Sequence, residues 1–160
     1  MRQILFKAKR IDNGEWLEGY YQFYTHGYGS EDREEHIIRD GKSNLYFVDP
    51  STICQYTGLT DKNGKKIWEN DIVDFLGHKG RVKYECGSFG IAYRECIDWE
   101  EIESHICPVT GCDNALCACE NDNFISLWEI YWNFNDEDDC LSTIEVIGNI
   151  FDNPELLERE

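Results

Sequence analysis

A chain of 160 residues with 41% hydrophobic and 14% aromatic side chains is too apolar to be disordered, and it is long enough for one domain or two small ones. Its net charge of −17 is unevenly spread: residues 1–84 carry 13 Lys and Arg against 13 Asp and Glu, whereas residues 85–160 carry 2 against 19. Such an acidic second half repels phosphate backbones, which argues against direct binding of DNA or RNA by that half.

The sequence contains no segment typical of a membrane or secreted protein. No stretch reaches the ~20 apolar residues that a membrane helix needs, and Met1–Lys7 lacks the apolar core of a signal peptide. We therefore expect a cytoplasmic protein. Its eight cysteines are then expected to be free thiols or metal ligands rather than disulfides.

The first third of the chain is predicted to be a β region. Ile4–Ile11 and Glu15–Tyr24 predict two strands joined at Asn13-Gly14, a strong hairpin signal because both residues tolerate a positive φ. The polar stretch 25–43 is predicted to be a loop with one short strand at His36–Ile38. The aromatic stretch Tyr20–Tyr24 within the second strand is interpreted as alternating core and surface positions.

The middle of the chain contains one more strand and a chain reversal. Leu45–Val48 predicts a strand that ends at Pro50, which has no amide proton for a ladder. Asp61–Gly64 fits a type I turn closed by a left-handed glycine. The alternative is a two-residue turn of the primed type at Asn63-Gly64.

Four short apolar segments follow, and together they predict a small barrel. They are 72–76, 81–85, 89–93 and 144–150. In the second of them, Val82 and Tyr84 alternate with charged residues and are predicted to point inward. Three sequential strands and a returning one suggest a closed or nearly closed barrel.

The barrel is interrupted by residues 98–143, which contain five of the eight cysteines. The aromatic run 124–132 in this segment fits a strand or a short helix, and periodicity does not decide between them. After the barrel, Pro154–Glu158 predicts one or two helical turns, with Asn153 as the cap and Pro154 at the first position.

The segment Gln55–Val73, with the sequence QYTGLTDKNGKKIWENDIV, closely resembles the central motif of the YopX family of phage and prophage proteins. The stretches 9–20 and 145–157 support the resemblance. It implies a link to mobile genetic elements, an SH3-like barrel and assembly into an oligomer, and it offers no catalytic residues to carry over. The family's usual glycine before Asp-Ile-Val is Asn70 here, which still permits a left-handed backbone. The cysteine-rich part, 98–123, is interpreted as an insertion.

The predicted fold class is therefore mostly β, or β-rich α+β. We predict an N-terminal β subdomain over residues 1–54, packed with a hairpin and SH3-like barrel subdomain over residues 55–160. The acidic, cysteine-rich insertion interrupts the second subdomain at about residues 98–143. The alternative is a single compact unit.

The candidate chemical site is a zinc site in this insertion. His105, Cys107, Cys112, Cys117 and Cys119 place four thiols and an imidazole within a short segment, enough for tetrahedral zinc. The spacing is not the usual pair of Cys-x2-Cys knuckles, however. The alternative is a set of unligated thiols that pack like small hydrophobic groups.

Three functions are considered. The first is a non-enzymatic binding or assembly module of a phage or prophage, which contacts itself or another protein. The second is an acidic decoy for a basic nucleic-acid-binding protein, suggested by the charge of residues 85–160. The third is an enzyme that acts on a small metabolite or nucleotide. Because the sequence shows no catalytic motif, we expect no enzymatic activity, no cofactor other than zinc, and no nucleic-acid or membrane partner.

Overall fold

The computed structural model describes residues 3–26, 33–85, 87–94, 123–132 and 143–158. Strands dominate these ranges, so the predicted mostly β fold class is confirmed. Besides the strands they contain one α-helix, α1 (Leu127–Trp132), and 3-10 helices at Pro50–Thr52 and Pro154–Leu157. The strands are β1 (Phe6–Lys9), β2 (Trp16–His26), β3 (Arg33–Arg39), β4 (Leu45–Phe47), β5 (Cys54–Thr60), β6 (Lys66–Trp68), β7 (Asp71–Phe75), β8 (His78–Glu85), β9 (Ser88–Ala92), β10 (Phe124–Ser126) and β11 (Glu145–Asn149).

The chain forms two compact units, unit 1 (Met1–Gly58) and unit 2 (Leu59–Glu160). The strand order is β4-β3-β2-β1-β5-β6 in the first sheet and β10-β9-β8-β7-β11 in the second. Unit 1 carries 7 Lys and Arg and 9 Asp and Glu, whereas unit 2 carries 8 and 23. The predicted subdomain boundary after residue 54 and the SH3-like description of the barrel stay predictions.

In unit 1, the first four strands form a closed ring of pairings. Successive strands pair antiparallel from β1 to β4. The end of β4 then returns to the end of β1, through a bridge between Arg10 and Val48. The Asp49 N–H donates to the Lys9 carbonyl at 2.8 Å, and the Ile11 N–H donates to the Phe47 carbonyl at 3.1 Å. This closure satisfies backbone groups that an open edge would leave exposed.

The core of unit 1 is small and lies on the inner side of this ring. Ala8, Ile38 and Val48 are fully buried or nearly so. Phe6, Leu17 and Ile53 pack against them. The 3-10 helix that follows Val48 is capped by Asp49, whose carboxylate accepts from the Ser51 N–H at 2.9 Å.

Unit 2 has a larger core on one side of the second sheet. Among the described residues of this unit, twelve buried ones form one cluster, which includes Val73, Phe75, Val82, Ile91 and Ile125. The three predicted sequential strands are present as β7, β8 and β9, and the predicted returning strand, β11, pairs antiparallel with β7. The aromatic run 124–132 is strand and helix in succession, because β10 continues directly into α1.

The turn at Asp61–Gly64 is the type I form closed by a left-handed glycine. Gly64 has φ 77°, and its N–H donates to the Asp61 carbonyl at 2.9 Å. The Asp61 side chain, only 5% exposed, accepts from the N–H groups of Asn63 and Lys65 through Oδ1. Its Oδ2 accepts from the Val146 N–H of β11 at 3.0 Å. One carboxylate therefore holds the turn and joins it to a strand 85 positions away.

The second turn of the motif, before β7, confirms the prediction for Asn70. This residue has φ 68° in the left-handed region. Its side-chain oxygen accepts two hydrogen bonds from the Arg81 guanidinium, and its carbonyl accepts from the Ile150 N–H at 3.1 Å. The buried Asp71 carboxylate accepts from the Trp68 N–H at 2.8 Å. The polar side chains of Asp61, Asn70 and Asp71 thus stabilise the turns of this motif through hydrogen bonds.

One prediction of strand extent was wrong. Much of the predicted loop 25–43 is strand, because β2 extends to His26 and β3 begins at Arg33. Backbone pairing across the hairpin holds these polar residues in strands that their side chains do not signal. The predicted Asn13-Gly14 hairpin is present. Gly14 has a positive φ and Asn13 does not, and the Arg10 N–H donates to the Glu15 carbonyl across the loop.

One prediction about a side chain was also wrong, and another was confirmed only in part. Tyr84 is 57% exposed although Val82 is buried, because Tyr84 lies at the end of the β8–β9 hairpin, beyond the core, against the Phe89 ring. The predicted helical turn begins at Pro154 with Asn153 at its N-cap position, but the Asn153 side chain makes no capping hydrogen bond. Its side chain instead packs against the backbone at Gly148.

In the described part of the chain, no helix is long and apolar enough to cross a membrane.

Candidate functional site

The candidate site is the outer face of β2, β3 and β4 in unit 1. Two cross-strand rows define it, Tyr20–Arg39–Leu45 and Gln22–Ile37–Phe47. Residues directly opposite one another in antiparallel strands project to the same side of the sheet. Tyr24 continues the alternation along β2 on this side. We call this surface the aromatic face; it consists of Tyr20, Gln22, Tyr24, Ile37, Arg39, Leu45 and Phe47.

The apolar side chains of the aromatic face are exposed to an unusual degree. Tyr20 is 54% exposed, Phe47 49%, and Tyr24 and Leu45 40% each. Beneath them Ile37 is only 3% exposed, so the exposed groups surround a covered apolar centre. Surface hydrophobic residues that stand singly need no explanation, whereas a contiguous group of them marks a contact surface.

Hydrogen bonds order the polar side chains within this face. The Arg39 Nε donates to Gln22 Oε1 at 2.8 Å. The Tyr24 hydroxyl donates to the same oxygen at 3.1 Å. Gln22 thus holds a guanidinium and a phenol in defined orientations. Arg and Tyr are enriched at the energetic centres of protein interfaces. Because hydrogen bonds already orient Arg39 and Tyr24, these two side chains lose less conformational freedom when a partner binds.

A cationic and aromatic group adjoins the aromatic face on the same side of the sheet. Lys9 lies opposite Trp16, and Lys7 lies opposite Glu18. The ammonium groups of Lys7 and Lys9 lie 5.1 and 5.4 Å from the centre of the Trp16 ring. Such cation–π contacts hold the indole against the lysine stems. The outer side of unit 1 therefore offers apolar, cationic and anionic groups together.

On the inner side of the same strands, an aromatic cluster extends the core toward the hairpin end. The Tyr21 hydroxyl and His36 Nδ1 are 2.7 Å apart. The centre of the Phe23 ring lies 5.0 Å from the centre of the His36 imidazole. Burial, and then the negative charge of Glu34, raise the pKa of Tyr21, so its hydroxyl stays protonated at neutral pH. Phe23 is nevertheless 47% exposed, because it lies beyond the core residues.

The predicted zinc ligands His105, Cys107, Cys112, Cys117 and Cys119 lie outside the described residues. The zinc site therefore stays a prediction. Among the residues that the structure does describe, no group of three or more His, Cys, Asp or Glu could hold a metal ion. The described cysteine Cys54 is buried, and its thiol donates to the Thr52 carbonyl at 3.3 Å.

The aromatic face was missed at the level of the sequence. The alternation of Tyr20–Tyr24 was recognised, and Tyr20 and Tyr24 are indeed exposed. In Leu45–Val48, however, all four residues are apolar, so a period of two cannot tell which side faces the core. Pairing with β3 decides it, because Tyr46 lies opposite Ile38 on the core side.

Comparison with known proteins supports the family resemblance. Residues 5–158 match the family model described as YopX protein. A comparison with curated proteins finds no significant match. One similar solved structure is the crystal structure of protein EF1440 from Enterococcus faecalis, with 22% identity, a TM-score of 0.40, and coverage of 99% of this chain and 100% of that one. Since the family model spans nearly its whole length, this chain belongs to the YopX family.

Proposed function

We propose that this protein is a non-enzymatic assembly module, and that the aromatic face is the surface through which two copies associate. The observation that carries the proposal is the group of half-exposed apolar side chains around Ile37, ordered by the hydrogen bond between Arg39 and Gln22. Aromatic residues and arginine are the residues in which protein interfaces are enriched. Membership in the YopX family supports the associated expectations of phage or prophage origin and of a bacterial cytoplasmic location.

The charge distribution favours a second copy as the occupant. Unit 1 has 7 basic and 9 acidic side chains, so two copies of it meet with little repulsion. Unit 2 has 8 basic and 23 acidic side chains, so two copies of unit 2 repel each other. A two-fold contact also requires a self-complementary surface. The outer side of unit 1 meets that requirement because Arg39 lies on the same side as Glu18 and Glu35.

Light scattering coupled to size-exclusion chromatography tests the proposal. The wild-type protein is expected to show a mass above that of one chain at high concentration and to dissociate on dilution. Replacing Tyr20 and Phe47 together by Thr keeps the strand propensity but removes the exposed rings. This double variant is expected to be monomeric at every concentration.

Tyr84→Thr is the matched control. Tyr84 is as exposed as Tyr20 and also lies in a strand, but it belongs to unit 2. This variant is expected to associate as the wild type does. A wild-type protein that stays monomeric at high concentration would contradict the proposal. If the Tyr84 variant lost association to the same extent, the contact between copies would not be specific to the aromatic face, and the proposed location would be wrong.

A second candidate function is an acidic decoy that occupies a basic, nucleic-acid-binding protein. It is supported by the excess of 23 acidic over 8 basic residues in unit 2, because complementary charge speeds encounter and selects partners. Capture from host lysate at low and moderate salt tests it, with the captured proteins identified. Recovery of no basic nucleic-acid-binding protein at either salt concentration would remove it. The absence of enzymatic activity is part of both proposals and rests on the absence of a catalytic motif in the sequence.

A further inference from the structure

Unit 2 contains a cavity of about 260 Å³ on the side of β8 and β9 that faces away from its core. Its lining combines basic side chains, namely Arg81, Lys83 and Arg94, with an apolar wall that includes Ala92, Pro154 and Leu157. The cavity therefore combines cations and apolar surface in one half-open space, and such a combination fits an anionic ligand with an apolar part.

The pairing of β8 and β9 places two of the cations side by side. Arg81 and Lys83 are two positions apart in β8, so both project to the same side of the sheet. Arg81 lies directly opposite Ala92 in β9. Because the alanine side chain is a single methyl group, the space above it stays open. The apolar wall comes from the 3-10 helix at Pro154–Leu157, whose close approach depends on Gly148, where a Cβ would lie 2.8 Å from Leu156 Cδ1.

The cations are held in place before any ligand arrives. The Arg81 guanidinium donates to Asn70 Oδ1 through Nε at 3.0 Å. The Arg94 Nη1 donates to the Leu157 carbonyl at 2.8 Å. Lys83 forms an ion pair with Glu85 at 3.4 Å. Two neutral acceptors thus orient the guanidinium groups without neutralising them, and such preorganisation lowers the entropic cost of binding.

The concentration of positive charge here contrasts with the rest of the unit. Unit 2 has 8 Lys and Arg against 23 Asp and Glu, and three of the eight line this cavity. Arg94 and Arg159 are the two basic residues of the sequence 85–160. A polyanion such as nucleic acid is repelled by the surrounding carboxylates. A single small anion that enters the cavity meets the local cations instead.

From this arrangement we propose that the cavity binds a small organic oxyanion, with a carboxylate or phosphate monoester held by Arg81, Lys83 and Arg94. Guanidinium groups match the planar or tetrahedral oxygens of both anions and bind them with charge-assisted hydrogen bonds. The apolar part of the ligand packs against Ala92 and Leu157. A volume of about 260 Å³ limits this part to a compact group, since ordinary ligand pockets begin at about 300 Å³. This inference is separate from the proposed self-association, which involves unit 1.

Isothermal titration calorimetry with four probes tests the class of ligand. Phenyl phosphate and benzoate carry the two anionic groups on one apolar ring, inorganic phosphate lacks the ring, and benzyl alcohol lacks the charge. At least one of the two ring-bearing anions is expected to bind saturably and more tightly than inorganic phosphate, whereas benzyl alcohol is expected not to bind. The tighter of the two identifies the preferred anionic group. Saturable binding of neither would overturn the proposal.

Variants locate the binding within the molecule. Lys83→Gln is expected to weaken binding about tenfold or more, the usual cost of losing a charge-assisted hydrogen bond. Lys79→Gln is the matched control, because it removes the same charge from the same strand at an exposed position. It is expected to leave the affinity within twofold of wild type. Ala92→Leu fills the cavity and is expected to abolish binding of the ring-bearing anions.

Each variant first needs a folded state, which circular dichroism and thermal unfolding report. If Ala92→Leu does not fold, the Lys83→Gln and Lys79→Gln pair decides alone, since neither residue is buried. Equal effects of these two lysine substitutions would overturn the assignment to the cavity. Unchanged affinity in a folded Ala92→Leu variant would do the same. Neither result depends on the association state that light scattering measures.

Discussion

The two units distribute their apolar and polar side chains in opposite ways. Unit 1 encloses a small core around Ile38 and leaves Tyr20 and Phe47 about half exposed. In its described part, unit 2 buries twelve residues in one cluster and also buries the carboxylates of Asp61 and Asp71. The exposed rings on the outer face of unit 1 lie away from its core, whereas the buried carboxylates of unit 2 each accept hydrogen bonds from backbone N–H groups.

This difference shows that unusual burial and unusual exposure have different meanings in this protein. A buried carboxylate often indicates a functional site. Asp61 instead accepts three backbone hydrogen bonds, which accounts for its burial by structure alone. The exposed rings of the aromatic face have no comparable structural role. The buried polar groups of unit 2 therefore serve stability, and the outer face of unit 1 is the proposed recognition surface. The following substitutions test that division.

The largest effect is expected for Asp61→Ala. The substitution leaves the N–H groups of Asn63, Lys65 and Val146 without their acceptor. Hydrogen bonds to charged groups contribute about 1.5–3 kcal/mol each, and losses that share one partner are not additive, so we expect the free energy of unfolding to fall by about 3 kcal/mol. Urea unfolding followed by tryptophan fluorescence measures it. Asp12→Ala, at an exposed aspartate paired with Arg10, is the control and is expected to change nothing measurable.

The next effect is expected for Gly90→Ala in β9. An added Cβ would lie 2.5 Å from the Ile125 carbonyl oxygen and would overlap the Phe124 ring, so β10 or the ring must move. Overpacking of this kind costs about 1–3 kcal/mol. Gly41→Ala is the control, because nothing lies within 4 Å of the added Cβ there. A Gly90 variant as stable as the Gly41 variant in the same urea titration would show that β10 does not pack here as described.

A pH dependence is expected from the same aspartate. Burial raises the pKa of Asp61, but hydrogen bonds from the N–H groups of Val146, Lys65 and Asn63 outweigh it, so the pKa is lowered overall. A lowered pKa contributes stability at pH values above the unfolded value of about 3.9, and this contribution is lost as the pH falls through the folded value. The wild type should therefore lose more stability than Asp61→Asn between pH 6 and pH 3. Parallel losses in the two proteins would contradict this role.

The smallest effect on stability is expected on the aromatic face. Tyr20→Thr removes a ring that is half exposed and keeps a β-branched residue in the strand, so the free energy of unfolding should change by no more than about 0.5 kcal/mol. The contrast is Val82→Thr, which places a hydroxyl in the core of unit 2 and is expected to cost about 1–3 kcal/mol. Thermal unfolding of both variants measures the difference. A large loss in the Tyr20 variant would mean that the aromatic face serves folding rather than recognition.

Local features of the fold were predictable because short-range geometry determines them. The Asp61–Gly64 turn and the left-handed Asn70 follow from residues that tolerate or favour those backbone angles. The alternation along β2 likewise follows from the period of a strand. Phe23 and Tyr84 show where this reasoning ends: both follow the alternation, yet both are exposed, because the period gives the side of a strand and not its distance from the core.

The family motif Gln55–Val73 was thus recognisable from the sequence alone, together with the mostly β class, since turn chemistry and strand periodicity act over a few residues. Tertiary structure alone decided what surrounds it. The Asp61 carboxylate reaches Val146, and Arg94 reaches Leu157, across 85 and 63 positions of the chain. The outer position of Phe47 depends in the same way on its pairing with Ile37. Contacts between residues so far apart in the chain depend on strand order and register, which no local pattern specifies.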